Sequence, residues 1–211
     1  MNNVQKTIFR KYLFLTMLIL IFDHLFPGQP FVRCFKFAVV LSLFLTATRI
    51  KGKKKREIIL HAALFFTVLG DFFLDFCQLT SWFGELIPFG LLCFGVAYLL
   101  LISVFYQKSR PGKREKLIFF GVTGSLIFTF FNLFAYFDRR LFLPLIIFGL
   151  ILGGMSWTLI SLPFRTSSRK QFTYYPALSG LFILISDLAV AHALFNPAFK
   201  GCFVPWLENI I

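Results

Sequence analysis

Apolar runs almost free of charge recur along this chain, and each is long enough as a helix to cross a hydrocarbon layer of roughly 30 Å. Within one of them, Ile58–Gly70 (IILHAALFFTVLG) is a continuous stretch of helical length that lacks the strict apolar/polar alternation an outer-membrane strand would show. Composition agrees, because 58% of the 211 residues are hydrophobic and 15% are charged. A soluble domain of this size would need far more polar surface. The pattern predicts an all-α, polytopic transmembrane helical bundle, forming a single integral membrane domain over residues 1–211. Seven spans are expected, at about 8–26, 34–50, 58–79, 83–106, 117–137, 141–164 and 175–195. The apolar tail Cys202–Ile211 has about half the length a span requires, and reads as a partial eighth helix or an interfacial segment.

A net charge of +13 would suggest nucleic acid in a soluble protein. Here the Lys and Arg residues concentrate in short loops, Arg49–Arg56 (RIKGKKKR), Lys108–Lys116 (KSRPGKREK) and Arg165–Lys170 (RTSSRK), which alternate with loops poor in both. The charge is therefore a topology signal, with the basic loops and the N-terminus (Lys6, Arg10, Lys11) on the cytoplasmic side. Only the loop with Asp138, Arg139 and Arg140 runs against it. The expected location is a plasma or inner membrane. The 32 Phe residues do not interleave with a basic face, so no base-stacking surface is expected. The partners expected are membrane lipids, with no nucleic acid and no protein partner. No small-residue cleavage site follows the first apolar run before Pro27, so that run reads as a retained span. Cys34, Cys77, Cys93 and Cys202 show no C-x-x-C spacing and no neighbouring His in a ligand pattern, and no metal site is expected.

Asp71, Asp75 and Asp187 fall inside apolar spans, where a charge costs at least about 2.5–3.5 kcal/mol on insertion scales. Asp71 and Asp75 stand at i and i+4 on one helix face, with Thr67 a turn earlier. Spans three and seven run in the same direction. Both Asp71 and Asp187 lie about a dozen residues into their spans, hence roughly 18–20 Å from the same membrane face. Lys36, near the start of the oppositely directed second span, lies toward that face too, so the three can converge on one cavity. Each acid can equally serve as interhelical hydrogen-bond glue, aided by Ser186 or Thr67. Asn132, among Phe residues in span five, reads first as an interhelical hydrogen bonder and otherwise as a substrate contact. His61 and His192 read as interfacial or packing residues, as do Asp23 and His24 at the end of span one. Trp82 and Trp206 read as interfacial belt residues.

Several of these segments together resemble the YhhN-like lysoplasmalogenase family of multispanning membrane enzymes, over about Phe35 to Phe195. Cys34–Leu43 (CFKFAVVLSL) looks like its Lys-Pro span, with Phe37 where the family has Pro. Leu64–Leu74 (LFFTVLGDFFL) resembles its Leu-Gly-Asp motif, and Gly180–Asp187 (GLFILISD) its Gly-x-x-x-Phe-x-x-Ser-Asp pattern. Met155 lies where the family tends to carry Met in span six. The span-four segment Gly90–Leu101 lacks the His that many members carry, and Tyr98 is the nearest polar residue.

The resemblance implies hydrolysis of the vinyl-ether bond of a lysoplasmalogen, a lysophospholipid, to a fatty aldehyde and a glycerophospho-headgroup product. Vinyl-ether hydrolysis begins with protonation of the alkenyl carbon, after which water captures the oxocarbenium ion, so it needs one acid and one base. Two neighbouring carboxylates resist ionising together, which suits a pair that shares these roles. Asp71 and Asp187 are the implied catalytic pair. Lys36 would tune them or meet the lipid phosphate, Asp75 would support Asp71, and Tyr98, Asn132 and Ser186 complete the candidate substrate contacts. No cofactor is implied. The competing classes are a transporter or channel for protons, cations or lipids, because buried acids also build proton relays, and a non-enzymatic lipid-binding protein.

Overall fold

A computed structural model of the chain describes residues 3–26, 29–49, 55–76, 83–106, 112–137, 139–165 and 171–196, and every regular element among them is helical. In chain order these are α1 (Asn3–Leu25), α2 (Pro30–Arg49), α3 (Lys55–Asp71) continuing into a π turn (Phe72–Phe76), and α4 (Phe83–Phe105). There follow α5 (Lys113–Leu133) with a 3-10 turn (Phe134–Tyr136), α6 (Arg139–Ile160), the single turn α7 (Leu162–Arg165) and α8 (Gln171–Phe195). The tail Cys202–Ile211, the end of the third expected span beyond Phe76, Cys77, Trp82, Trp206, Asp138 and the centres of the three basic loops lie outside the described residues. So do the side chains of Asp23 and Asp75.

Six helices are long and apolar enough to cross a membrane, over Pro30–Arg49, Lys55–Leu74, Leu86–Phe105, Lys113–Tyr136, Arg139–Ile160 and Thr173–His192. This is consistent with a multi-pass membrane protein. The expected first span is the exception. Helix α1 is 23 residues long, but Lys6, Arg10 and Lys11 at one end and Asp23 near the other leave an uncharged stretch about half of what a span needs. Helices α2, α5 and α8 each begin four residues before the expected span. The reason is physical: a helix runs on through charged residues such as Lys113, Arg114 and Lys116, whereas hydropathy marks only the apolar part.

Pro88, Pro144 and Pro176 each occupy the sixth position of α4, α6 and α8, close to the end where backbone N–H groups lack helical partners. All three helices continue through them. Prolines of this kind are tolerated in membrane helices because neighbouring groups compensate the freed carbonyl.

Side-chain pairs set the register. Phe44 meets Phe65 and Phe37 meets Phe72, so α2 and α3 run antiparallel. The ring of Phe94 occupies the space beside Gly70, and the side chain of Leu74 that beside Gly90, which sets α3 against α4. Gly180 receives Leu159, bringing α8 onto α6, and Gly153 receives Leu126, bringing α5 onto α6. Glycine at each crossing lets the backbones approach closely, the usual way to gain packing energy where lipid removes the hydrophobic drive between helices. The core lies within α4, α6 and α8 with α5 against them, around Phe94, Ala97, Tyr98, Val122, Leu152, Met155, Leu159 and Leu184. Outward-facing apolar residues such as Leu117, Phe131 and Leu150 are about three-quarters exposed, as lipid-facing positions would be. Helix α1 packs on α2 at the edge, through Phe22 with Phe31 and Phe35 and through the Tyr12 hydroxyl, which lies 3.1 Å from both Ser42 and Thr46.

Candidate functional site

The polar groups of the core meet around Tyr98. This residue is 4% exposed, and its hydroxyl donates a 2.7 Å hydrogen bond to Oδ2 of Asp187, linking α4 to α8. Helical side chains lean toward the helix N-terminus, so the Tyr98 ring inclines toward Phe94, one turn earlier. The two rings are 6.1 Å apart, and Phe148 of α6 closes the other side at 5.8 Å. Phe94 is in turn the ring that fills the space beside Gly70, whose neighbour is Asp71. Asp71 is buried, at 6% exposure, and its carboxyl lies close enough to Tyr98 for their charges to interact. Tyr98 thus bonds one span acid and lies within electrostatic reach of the other. The π turn that begins at Phe72 follows Asp71 directly; such turns often occur at functional sites.

Lys36 is half-buried on α2. Its neighbour Phe37 packs on Phe72, so the antiparallel register puts Lys36 level with Phe73, two residues (about 3 Å) from the level of Asp71. Asp75 lies within the π turn. Ser186 is fully buried beside Asp187, and its hydroxyl has no hydrogen-bond partner among the described residues. Thr67 does not serve Asp71: its hydroxyl donates to the Ala63 carbonyl of its own helix at 3.1 Å. Asn132 is a correction. It is exposed, and its amide donates to the Phe128 carbonyl one turn back at 3.0 Å, so it neither bridges helices nor joins this group. Met155 is fully buried in the same core cluster as Tyr98. Among the described residues no three His, Cys, Asp or Glu side chains cluster as a metal site.

A second polar cluster, which the sequence reading did not identify, joins the start of α5 to the end of α6 and to α7. Arg165 Nε donates to Glu115 Oε2 at 2.7 Å, with both side chains almost wholly buried. The indole N–H of Trp157 donates to the Glu115 carbonyl at 3.0 Å, and the Arg165 guanidinium stacks 4.5 Å over the Trp157 ring. Local signals could not reveal it, because Glu115 and Arg165 stand 50 positions apart within stretches that read as basic loops.

A helical protein with six helices able to cross a membrane and a buried tyrosine bonded to a carboxyl within a span is therefore the class that fold and site define. The chain belongs to the YhhN family, whose model matches residues 31–204. That match includes Lys36, Asp71, Tyr98 and Asp187. No curated protein and no solved structure matches the chain.

Proposed function

We propose that this protein is a membrane-embedded hydrolase that cleaves the vinyl-ether bond of lysoplasmalogens, releasing a fatty aldehyde and a glycerophospho-headgroup product. Family membership supports the reading. The observation that carries it is the shared position of Tyr98, bonded to Asp187 and within electrostatic reach of Asp71 inside an apolar core. A solvating or structural carboxyl does not require a second acid nearby, whereas vinyl-ether hydrolysis requires a proton donor and a proton acceptor at one substrate.

In this reading Asp71 and Asp187 are the acid and the base. One protonates the alkenyl carbon distal to the ether oxygen. Water then adds to the carbon bearing that oxygen while the other carboxylate takes its proton. The resulting hemiacetal collapses to aldehyde and glycerol hydroxyl. Tyr98 fixes the rotamer of Asp187, which keeps the reacting oxygen in one place and lowers the cost of reaching the reactive geometry. Lys36, level with the acids on α2, meets the phosphate as a point charge. The aromatic surroundings of Tyr98, with Phe94 and Phe148, hold the chain and keep stray water from the cation. The protein sits in a plasma or inner membrane with the basic loops and N-terminus cytoplasmic, and α1 serves as a further span.

The test is release of fatty aldehyde from 1-alkenyl lysophospholipid by purified protein in detergent, with ethanolamine and choline headgroups and with a 1-acyl lysophospholipid as control. Aldehyde from an alkenyl substrate and none from the acyl control is the expected result. A folded protein that releases none from either headgroup contradicts the hydrolase, and proton flux in proteoliposomes would then bring the transporter class forward.

A further inference from the structure

Among the described residues two fully buried serines have hydroxyls without a hydrogen-bond partner, Ser156 on α6 and Ser186 on α8, and Ser186 is the one that directly precedes Asp187 in the chain. Serine and threonine hydroxyls in helices commonly donate back to a carbonyl three or four residues earlier. Many here do so: Thr158 to Gly154 at 2.7 Å, Ser125 to Val122 at 2.8 Å, Ser179 to Tyr175 at 3.0 Å and Thr67 to Ala63 at 3.1 Å. Ser186 does not. Its hydroxyl has no partner among the described residues, and the residue is fully buried. A buried polar atom left unpaired is costly and calls for a reason.

Position supplies one. Gly180 faces Leu159 on α6, and Asp187, two turns on, repeats that inward face. Ser186 lies about 100° round α8 from Asp187 and is still buried, so it points into protein and not into lipid. Tyr98 occupies Oδ2 of Asp187, which leaves Oδ1 as the second acceptor. Adjacent side chains on a helix diverge too far for Ser186 and Asp187 to bond directly. One water could serve both groups, donating to the carboxylate and accepting from the serine.

We propose that Ser186 and Oδ1 of Asp187 form the site of the hydrolytic water, which makes Asp187 the base and Asp71 the acid. The inference rests on the hydrolase reading above and fixes the roles within it. Asp71 gives its proton to the alkenyl carbon, and the electron pair of the double bond forms the new C–H bond. The water at Ser186 adds through oxygen to the oxocarbenium carbon and passes one proton to Asp187. In the collapse, Asp187 returns that proton to the departing glycerol oxygen as the C–O bond breaks. Asp71 takes the hemiacetal hydroxyl proton as the C=O bond forms. Both acids regain their starting states, and the sum consumes one vinyl ether and one water and yields one aldehyde and one alcohol. Ser186 is a positioning residue, acting through the water.

Two readouts on Ser186→Ala test this, with Ser186→Cys as a variant of similar volume should the first fail to fold. A hydroxyl that is simply unpaired is relieved by Ala, so Tm stays level or rises; one that holds an ordered water loses that water's bonds, so Tm falls. The expected result is a lower Tm in detergent together with at least a tenfold lower kcat for aldehyde release at unchanged KM. A Tm that holds or rises, or a kcat that holds, overturns the water site while an active wild type keeps the hydrolase standing. A folded wild type that releases no aldehyde overturns both.

Discussion

Asp187 on α8 is bonded through Oδ2 to the hydroxyl of Tyr98 on α4, a residue 89 positions earlier in the chain, at 2.7 Å. The bond crosses the centre of the bundle and orients a carboxyl that would otherwise have several rotamers available to it. Tyr98→Phe keeps the ring against Phe94 and Phe148 and removes only this donor. A hydrogen bond to a charged group contributes roughly 1.5–3 kcal/mol, and most of it is felt where the carboxyl must be correctly aimed. The expected result is a fall in kcat of roughly 10- to 100-fold, with KM little altered, in the aldehyde-release assay. Unchanged kcat would remove Tyr98 from the mechanism.

The close approach of α8 to α6 depends on Gly180. A Cβ there would stand 2.6 Å from the Cβ of Leu159, an atom that no side-chain rotation moves, so the two backbones must separate. Overpacking of this kind costs about 1–3 kcal/mol. Gly180→Ala should therefore lower Tm in detergent, and because Asp187 lies two turns along the same face it should lower activity as well. Gly149, beside which nothing lies within 4 Å, is the matched control, and Gly149→Ala should leave Tm close to wild type.

The buried Arg165–Glu115 pair makes a different prediction. Removing one partner leaves a buried charge uncompensated, at about 3–5 kcal/mol, whereas replacing both by apolar groups is often neutral. Arg165→Ala also removes the stack on Trp157. Thermal unfolding should show a large loss for Arg165→Ala and a much smaller one for Arg165→Met combined with Glu115→Leu. Equal losses in the two proteins would mean that the charge pair itself is what α5 and α7 need.

Asn132 supplies a negative prediction. Among the described residues its amide bonds within its own helix on an exposed face, so Asn132→Leu should change stability by no more than the roughly ±0.5 kcal/mol of ordinary surface changes, leaving Tm close to wild type and aldehyde release unaltered. A clear loss of activity would show that lipid reaches the centre across the exposed face of α5.

How much could be read from the sequence depended on how far each signal reaches along it. Hydropathy acts over one helix, so the helical class and the span acids Asp71 and Asp187 were legible. It marks apolar length and not helix length, which is why α2, α5 and α8 begin earlier than expected and why α1, charged at both ends, is not among the six helices long and apolar enough to cross a membrane. Counting residues could suggest a common depth for the acids, yet the Tyr98–Asp187 bond was not legible, since nothing local in Gly90–Leu101 says which face of α4 meets α8. Asn132 was misplaced because Phe neighbours mark lipid in this chain as readily as they mark core, and Phe128 and Phe131 are both strongly exposed. The Glu115–Arg165 pair was hidden by distance along the chain and by the basic residues around each member.

The most direct test of the central claim compares wild type with Asp71→Asn and Asp187→Asn for fatty aldehyde release from 1-alkenyl lysophospholipid, each protein first shown to be folded and membrane-inserted. Asn keeps the shape of each side chain and removes its proton chemistry. Loss of turnover in both variants, with wild type active, is the predicted result. Substantial turnover by either folded variant would contradict the paired-acid account and remove that residue from it.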